Sequence, residues 1–249
     1  MPFPAASIRL VVFDLDGTLI DSRKDLAQSV NAMLLNYGRA ALPEKVIATY
    51  IGDGAGMLVR RALGDPEDDT FMAEALEYFL GYYCVHKLDH TTVYDGVVTA
   101  LEAIRAAHPA LPMAVLTNKP VDPSRDICAH FGLGRFFFQN YGGNSFSTKK
   151  PDPHGLLQLI AEASSLTGHA IGPRQTLMIG DSDIDILTAR NAGAWSIGCT
   201  FGLSPQTLEA ASPDALAHSP LDWIAALAPA SRSRVQFPAS KRLKKLVAK

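Results

Sequence analysis

Short runs of apolar and β-branched residues recur along the chain with helical stretches between them, the pattern of a parallel sheet covered by helices on both faces. Residues 10–14, 113–117, 176–180 and 195–199 read as its strands. Each of the first three runs passes directly into polar residues: Asp16-Gly17-Thr18, Asn118-Lys119 and Asp181-Ser182-Asp183. Ligands of open α/β sheets sit beyond the carboxyl ends of the strands, so these clusters are expected to converge on one crevice. Between the first two strands, residues 22–90 read as helices, with Leu26, Val30, Met33 and Leu34 spaced for one apolar face and Met72, Leu76 and Phe79 for another. That stretch is too long for a simple crossover. The expected fold is a Rossmann-like α/β core, residues 1–20 and 91–228, with an inserted helical cap, residues 21–90, hinged near residues 20–22 and 94–96.

The first strand ends in two acidic residues two positions apart. In extended backbone Asp14 and Asp16 project to the same side of the chain and can share one substrate. Neighbouring carboxylates split their proton affinities, so one can attack while the other protonates a leaving oxygen. Gly17 permits a tight turn there, and Thr18 brings a hydroxyl to the same point. Taken alone, the segment also fits a polar turn after a strand, or part of a calcium loop that lacks its further ligands.

Composition narrows the class. The chain has 249 residues and 47% apolar content, enough for a large domain with an insertion. No stretch approaches the roughly 20 apolar residues of a membrane span, and the first residues carry no signal segment, so a cytoplasmic enzyme is expected. Cys84, Cys128 and Cys199 are odd in number and far apart, which suggests buried thiols rather than a disulfide framework. Cys84, His86 and His90 are close in sequence, but a complete set of zinc ligands is not visible. Net charge is −2, yet residues 231–249 hold seven basic residues and no acidic one, leaving −9 for the rest. This tail, within a segment expected at 229–249, could touch nucleic acid or an anionic membrane, but a solvated terminus accounts for it as simply. No nucleic-acid or membrane partner is expected.

Asp14-Leu15-Asp16-Gly17-Thr18 is followed in order by Leu116-Thr117-Asn118, Lys149-Lys150-Pro151 and Gly180-Asp181-Ser182-Asp183-Ile184-Asp185. These four blocks resemble the phosphatase branch of the haloacid dehalogenase-like hydrolase superfamily. Within it, Tyr50-Ile51-Gly52-Asp53-Gly54, Leu58-Val59-Arg60-Arg61-Ala62-Leu63, Tyr82-Tyr83 and Val93-Tyr94-Asp95-Gly96-Val97 resemble bacterial phosphoglycolate phosphatases, over residues 10–227. Three places depart from that family's pattern: Asn144 stands where aspartate is usual, Asp95 where proline is usual, and residues 201–205 lack the usual Tyr-Gly-Tyr-Asn character.

The resemblance implies a magnesium-dependent phosphatase acting on a small phosphorylated metabolite such as 2-phosphoglycolate, as a monomer or homodimer. Unaided hydrolysis of phosphate monoesters is slow enough to need up to about 10²¹-fold acceleration, hence a nucleophile, charge neutralisation and leaving-group protonation together. Asp14 is the implied nucleophile and Asp16 the implied acid and base. Asp14, the main-chain carbonyl of Asp16 and Asp181 are the implied Mg²⁺ ligands, with Asp185 acting through a water. Thr117 and Asn118 are the expected donors to phosphoryl oxygens, and Lys150, chosen over Lys149 by the family's Lys-Pro signature, the expected counter-charge. Thr18, Gly52, Gly54 and Arg60 complete the expected substrate contacts, with Arg60 or Arg61 reaching a substrate carboxylate from the cap. The alternatives are a phosphatase for sugar phosphate or pyrophosphate, a phosphomutase, or a binding protein that kept the scaffold without catalysis.

Overall fold

The computed structural model describes residues 5–228. The basic tail lies outside the described residues. The strands are β1 (Leu10–Phe13), β2 (Ile20–Asp21), β3 (Thr92–Val93), β4 (Met113–Leu116), β5 (Gln139–Tyr141), β6 (Thr176–Gly180), β7 (Trp195–Cys199) and β8 (Ala215–Ala217). The α-helices are α1 (Arg23–Asn36), α2 (Glu44–Ala48), α3 (Ala55–Ala62), α4 (Asp69–His86), α5 (Val97–Ala107), α6 (Val121–His130), α7 (His154–Thr167), α8 (Asp183–Ala192), α9 (Leu208–Ala211) and α10 (Asp222–Leu227).

Six strands form one parallel sheet in the order β5-β4-β1-β6-β7-β8. The Leu-Val-Val-Phe run of β1 is buried at every position, as a central strand covered on both faces must be. Its side chains alternate between two cores. Val11 and Phe13 pack with Val115, Ile179 and Trp223 on one face, and Leu10 and Val12 with Ala114, Met178 and Leu159 on the other. Phe13 lies level with Val115 and Ile179 in the neighbouring strands, and its full burial contributes about 1.5–3 kcal/mol. From β1 the chain crosses first to β4 on one side and later to β6 on the other. The crevice at this change of direction opens at the carboxyl end of β1, where Asp14 follows.

Helices α1 to α4 form the insertion, between β2 and β3. They enclose a core of their own: Leu26, Val30, Met33 and Leu34 of α1 meet Met72 and Phe79 of α4, with Leu58 and Val59 of α3. Leu76, expected on the same face of α4, is partly buried against that core. The long helix α4 starts at Asp68, whose carboxylate accepts from the amides of Thr70 and Phe71 at 2.9 and 3.0 Å.

The chain enters and leaves the insertion through adjacent strands, β2 pairing antiparallel with β3 so that Ile20 faces Val93 and Asp21 faces Thr92. Asp25, in the first turn of α1, locks this junction. Its fully buried carboxylate accepts from the amides of His90 and Thr91 at 3.0 and 2.8 Å and from the Thr91 hydroxyl at 2.7 Å. One strand of chain leaving the cap is thereby tied to the helix that begins it.

One expectation about isolated residues changes. Cys84 is exposed rather than buried, because it lies on the outer face of α4; Cys128 and Cys199 are buried as expected. Among the described residues no metal-ligand cluster includes Cys84, His86 or His90, and His86 pairs instead with Asp89 at 2.8 Å.

Hydrogen bonds to a buried charge carry about 1.5–3 kcal/mol, so Asp25→Ala should lower unfolding free energy by about 2–3 kcal/mol in urea titration. A change below about 0.5 kcal/mol would show that the junction does not depend on this carboxylate.

Candidate active site

At the carboxyl edge of the sheet, two strand ends and the start of a helix deliver charged side chains into one place. Asp14 leaves β1, Asp181 leaves β6 and Asp185 stands one turn into α8; all three are buried, and one carboxylate oxygen of each lies within 4.8 Å of the others. Lys150 reaches the same point from the loop before α7, its Nζ 2.8 Å from Asp14 Oδ1 and 2.6 Å from Asp185 Oδ1. Lys149, next to it, is exposed and donates to the Asp53 carbonyl at 2.6 Å.

The local sequence explains how the acids are held. Ser182 and Asp185 form a reciprocal cap on α8, with the Ser182 amide and hydroxyl donating to Asp185 Oδ2 at 3.1 and 2.8 Å. Asp181 Oδ2 accepts from the amides of Leu203 at 2.6 Å and Ser204 at 3.0 Å. Two glycines make room for it. A Cβ at Gly17, whose φ is +84°, would fall 2.2 Å from Asp181 Oδ2, and one at Gly202 would fall 2.3 Å from both Asp181 Cβ and the Gly17 carbonyl.

Three buried carboxylates against one ammonium leave excess negative charge. Burial raises the Asp14 carboxyl to about 6, with Lys150 offsetting part of the effect and Asp185 and Asp16 adding to it. Asp181 is also raised, by burial and by the charges of Asp185 and Asp14. Burial works against the Lys150 ammonium, but Asp14 and Asp185 outweigh it and hold the group charged. An all-oxygen donor set with uncompensated negative charge fits a hard divalent cation.

Asp16 lines the same cavity as Asp14, yet its carboxylate stands apart from the three-acid cluster. Both its oxygens accept from Lys119 Nζ at 2.9 Å, and the Ser22 hydroxyl donates to Oδ1. Lys119 is 5% exposed and lies 4.8 Å from the ring centroid of Tyr83 in α4, so this ion pair touches the cap as well as the core. Lys119 and Ser22 are absent from the sequence-derived set. Lys119 lies inside the Asn-Lys-Pro stretch, but its carboxylate partner is 103 residues distant, and spacing carries no trace of the contact.

The cap seats on the core over this cavity. Gly52 and Gly54 line it from the loop before α3, together with Ile51, Leu58 and Phe79. Thr117 also lines it, with its Oγ1 accepting from the Lys119 amide at 3.2 Å. The Asn118 amide, expected to meet phosphoryl oxygens, donates instead to the carbonyls of Gly52 and Lys150, both at 3.0 Å, and so braces the cap loop against the core. Thr18 is fully buried below the turn and does not line the cavity.

Arg60 is placed elsewhere too. Its guanidinium donates to the Pro66 carbonyl at 2.9 Å and pairs with Asp65 and Asp69, because the last turn of α3 carries it toward the following loop. Arg61 pairs with Asp53 and donates to the Tyr50 carbonyl at 3.4 Å. Asn144, a departure from the family pattern, accepts from the Val121 amide at 2.8 Å through its side-chain oxygen, as an aspartate in its place would.

Comparison with known proteins agrees with this geometry. Residues 11–199 match the model of the haloacid dehalogenase-like hydrolase family. A phosphoglycolate phosphatase of Vibrio vulnificus is 38% identical over 221 residues, covering 85% of this chain and 92% of the relative. A phosphoglycolate phosphatase of Pseudomonas putida is 38% identical over 218 residues, covering 85% of this chain and 76% of its own. The crystal structure of a predicted phosphoglycolate phosphatase from Haemophilus somnus superposes with a TM-score of 0.79 at 30% identity, covering 88% of this chain and 97% of that one. With its acids on the strand ends of a parallel sheet and a helical insertion above them, the chain belongs to the haloacid dehalogenase-like hydrolases and is a phosphatase of the phosphoglycolate phosphatase type.

Proposed function

We propose that the chain hydrolyses 2-phosphoglycolate to glycolate and phosphate, with Asp14 as the nucleophile and Mg²⁺ as the cation of the acidic cluster. The observation that carries this reading is a pair of carboxylates on one cavity, the buried Asp14 beside Asp181 and Asp185, and the partly buried Asp16 in an ion pair of its own. Asp14 attacks phosphorus, the bond to the ester oxygen breaks, and the phosphoryl group passes to the Asp14 carboxylate. Asp16 protonates the departing alkoxide, then takes a proton from the water that cleaves the aspartyl phosphate. Lys150 orients Asp14 and offsets charge on the transferring group. Thr117 offers its hydroxyl from the cavity wall.

Asp14, Asp181, Asp185 and the Asp16 main-chain carbonyl hold Mg²⁺ in this reading. When bound, the ion neutralises carboxylate and phosphoryl charge.

Asp14 and Asp16 face a cavity closed over by Ile51, Leu58 and Phe79 of the cap. The cap also shields the site from solvent, which favours transfer to Asp14 over direct attack by water.

Magnesium-dependent phosphate release from a panel of esters should give the highest kcat/KM with 2-phosphoglycolate. Asp14→Asn should abolish release, and Asp16→Asn should lower it by about 10²–10⁴-fold. A sugar phosphate as best substrate would overturn the named substrate, and undiminished release from Asp14→Asn would overturn the nucleophile.

A second expectation concerns pH. Asp14 and Asp181 bind protons more tightly folded than unfolded, so the cation-free fold loses their stabilising contribution as pH rises through the raised carboxyls, that of Asp14 at about 6. Protons on these carboxyls compete with the ion toward acid pH. Saturating Mg²⁺ should therefore raise Tm by roughly 5–10 °C at pH 8 and by clearly less at pH 5 in thermal scans. An equal or larger rise at pH 5 would contradict the assignment of these acids as ligands.

A further inference from the structure

We infer that Lys119 and Tyr83 together form the site that recognises the carboxylate of the substrate, with the ammonium supplied by the core and the hydroxyl by the cap. The inference rests on the 2-phosphoglycolate reading and adds the residues that select for it. Such a substrate carries a second anion that needs its own donors, away from the phosphate. Neither cap arginine serves, since Arg60 and Arg61 are tied to the cap's own carbonyls and acids. Among the residues lining the cavity, Lys119 is the one cationic side chain.

Two of the three protons on Lys119 Nζ face the Asp16 oxygens. The third is turned toward Tyr83, whose ring centroid lies 4.8 Å from Nζ. Across from it, Tyr83 is 2% exposed, lines the same cavity, and its hydroxyl makes no hydrogen bond of normal geometry, although it lies beside the Lys119 ammonium. A buried hydroxyl without an acceptor is costly unless something completes it in the working state. A carboxylate seated between the two groups accepts from both. The rest of the cap wall nearby, Phe79, Leu58 and Leu80, is apolar and excludes water from that contact.

The arrangement also joins substrate choice to cap position. Tyr83 belongs to α4 of the insertion and Lys119 to the loop after β4, so the two donors meet only when the cap rests on the core. Esters that lack the carboxylate leave the Tyr83 hydroxyl without that acceptor and are disfavoured for that reason.

The test compares kcat/KM for 2-phosphoglycolate with that for ethyl phosphate, which has the same phosphate ester and no carboxylate. Wild type should favour 2-phosphoglycolate. Tyr83→Phe should lower this ratio by about 10- to 100-fold and Lys119→Met by about 100-fold or more, with Lys119→Arg recovering part of it. Because each value is a ratio within one protein, partial misfolding of a variant cancels. A wild type with no preference would overturn both this inference and the named substrate. A wild-type preference kept by Tyr83→Phe and Lys119→Met would overturn the inference alone.

Discussion

The structure is organised around three buried carboxylates and a partly buried fourth, gathered where the strand order of a parallel sheet reverses and balanced by two lysines. Asp14 and Asp185 share Lys150, Asp181 is held by backbone amides, and Asp16 has Lys119. Charges taken out of water are tolerated only when paired and hydrogen-bonded. The neighbouring chain meets that demand in detail. Serine caps Asp185, the backbone of residues 203 and 204 caps Asp181, and glycines at 17 and 202 leave the space in which Asp181 sits. What remains uncompensated is negative charge at one point, and that residue of charge makes the crevice a place for a cation and a phosphoryl group.

The insertion works on a different principle. Its core is apolar and self-contained, and it meets the rest of the protein through a limited set of polar contacts: Asn118 to Gly52, Lys149 to Asp53, Ser22 to Asp16, Lys87 to Asp126, and Lys119 against Tyr83. A cap held by so few bonds can lift for exchange of substrate and product while the chemistry of the floor stays assembled. Asp25 keeps its base attached, by binding the exit of the insertion to its first helix.

Much of this was legible in the sequence for a physical reason. Central strands of a parallel sheet are buried on both faces, so β1, β4, β6 and β7 stand out as apolar runs, and their polar ends point to the crevice. The edge strands β5 and β8 are three residues each, with partly exposed sequences Gln-Asn-Tyr and Ala-Leu-Ala, and leave no such signal. Aspartates stand out because they follow strands directly. Lys119 follows a strand as well, but its role does not show, since its partners come from the first strand's end and from the cap helix. Leu203 and Ser204 act through backbone amides, which any sequence supplies, so their loop looked only like a departure from a family pattern. Arg60 shows the opposite limit: its charge is plain in the sequence, but the direction in which the end of α3 sends it is not.

The claim that joins these parts is that phosphate passes through Asp14. Acid-quenching the wild-type protein during turnover of 2-phosphoglycolate labelled in its phosphate, then mapping the label by peptide mass spectrometry, tests it directly. The account predicts a phosphoryl label on the Asp14 carboxylate that is absent from Asp14→Asn. A label on any other residue, or a reaction that proceeds with none on the protein, would contradict it.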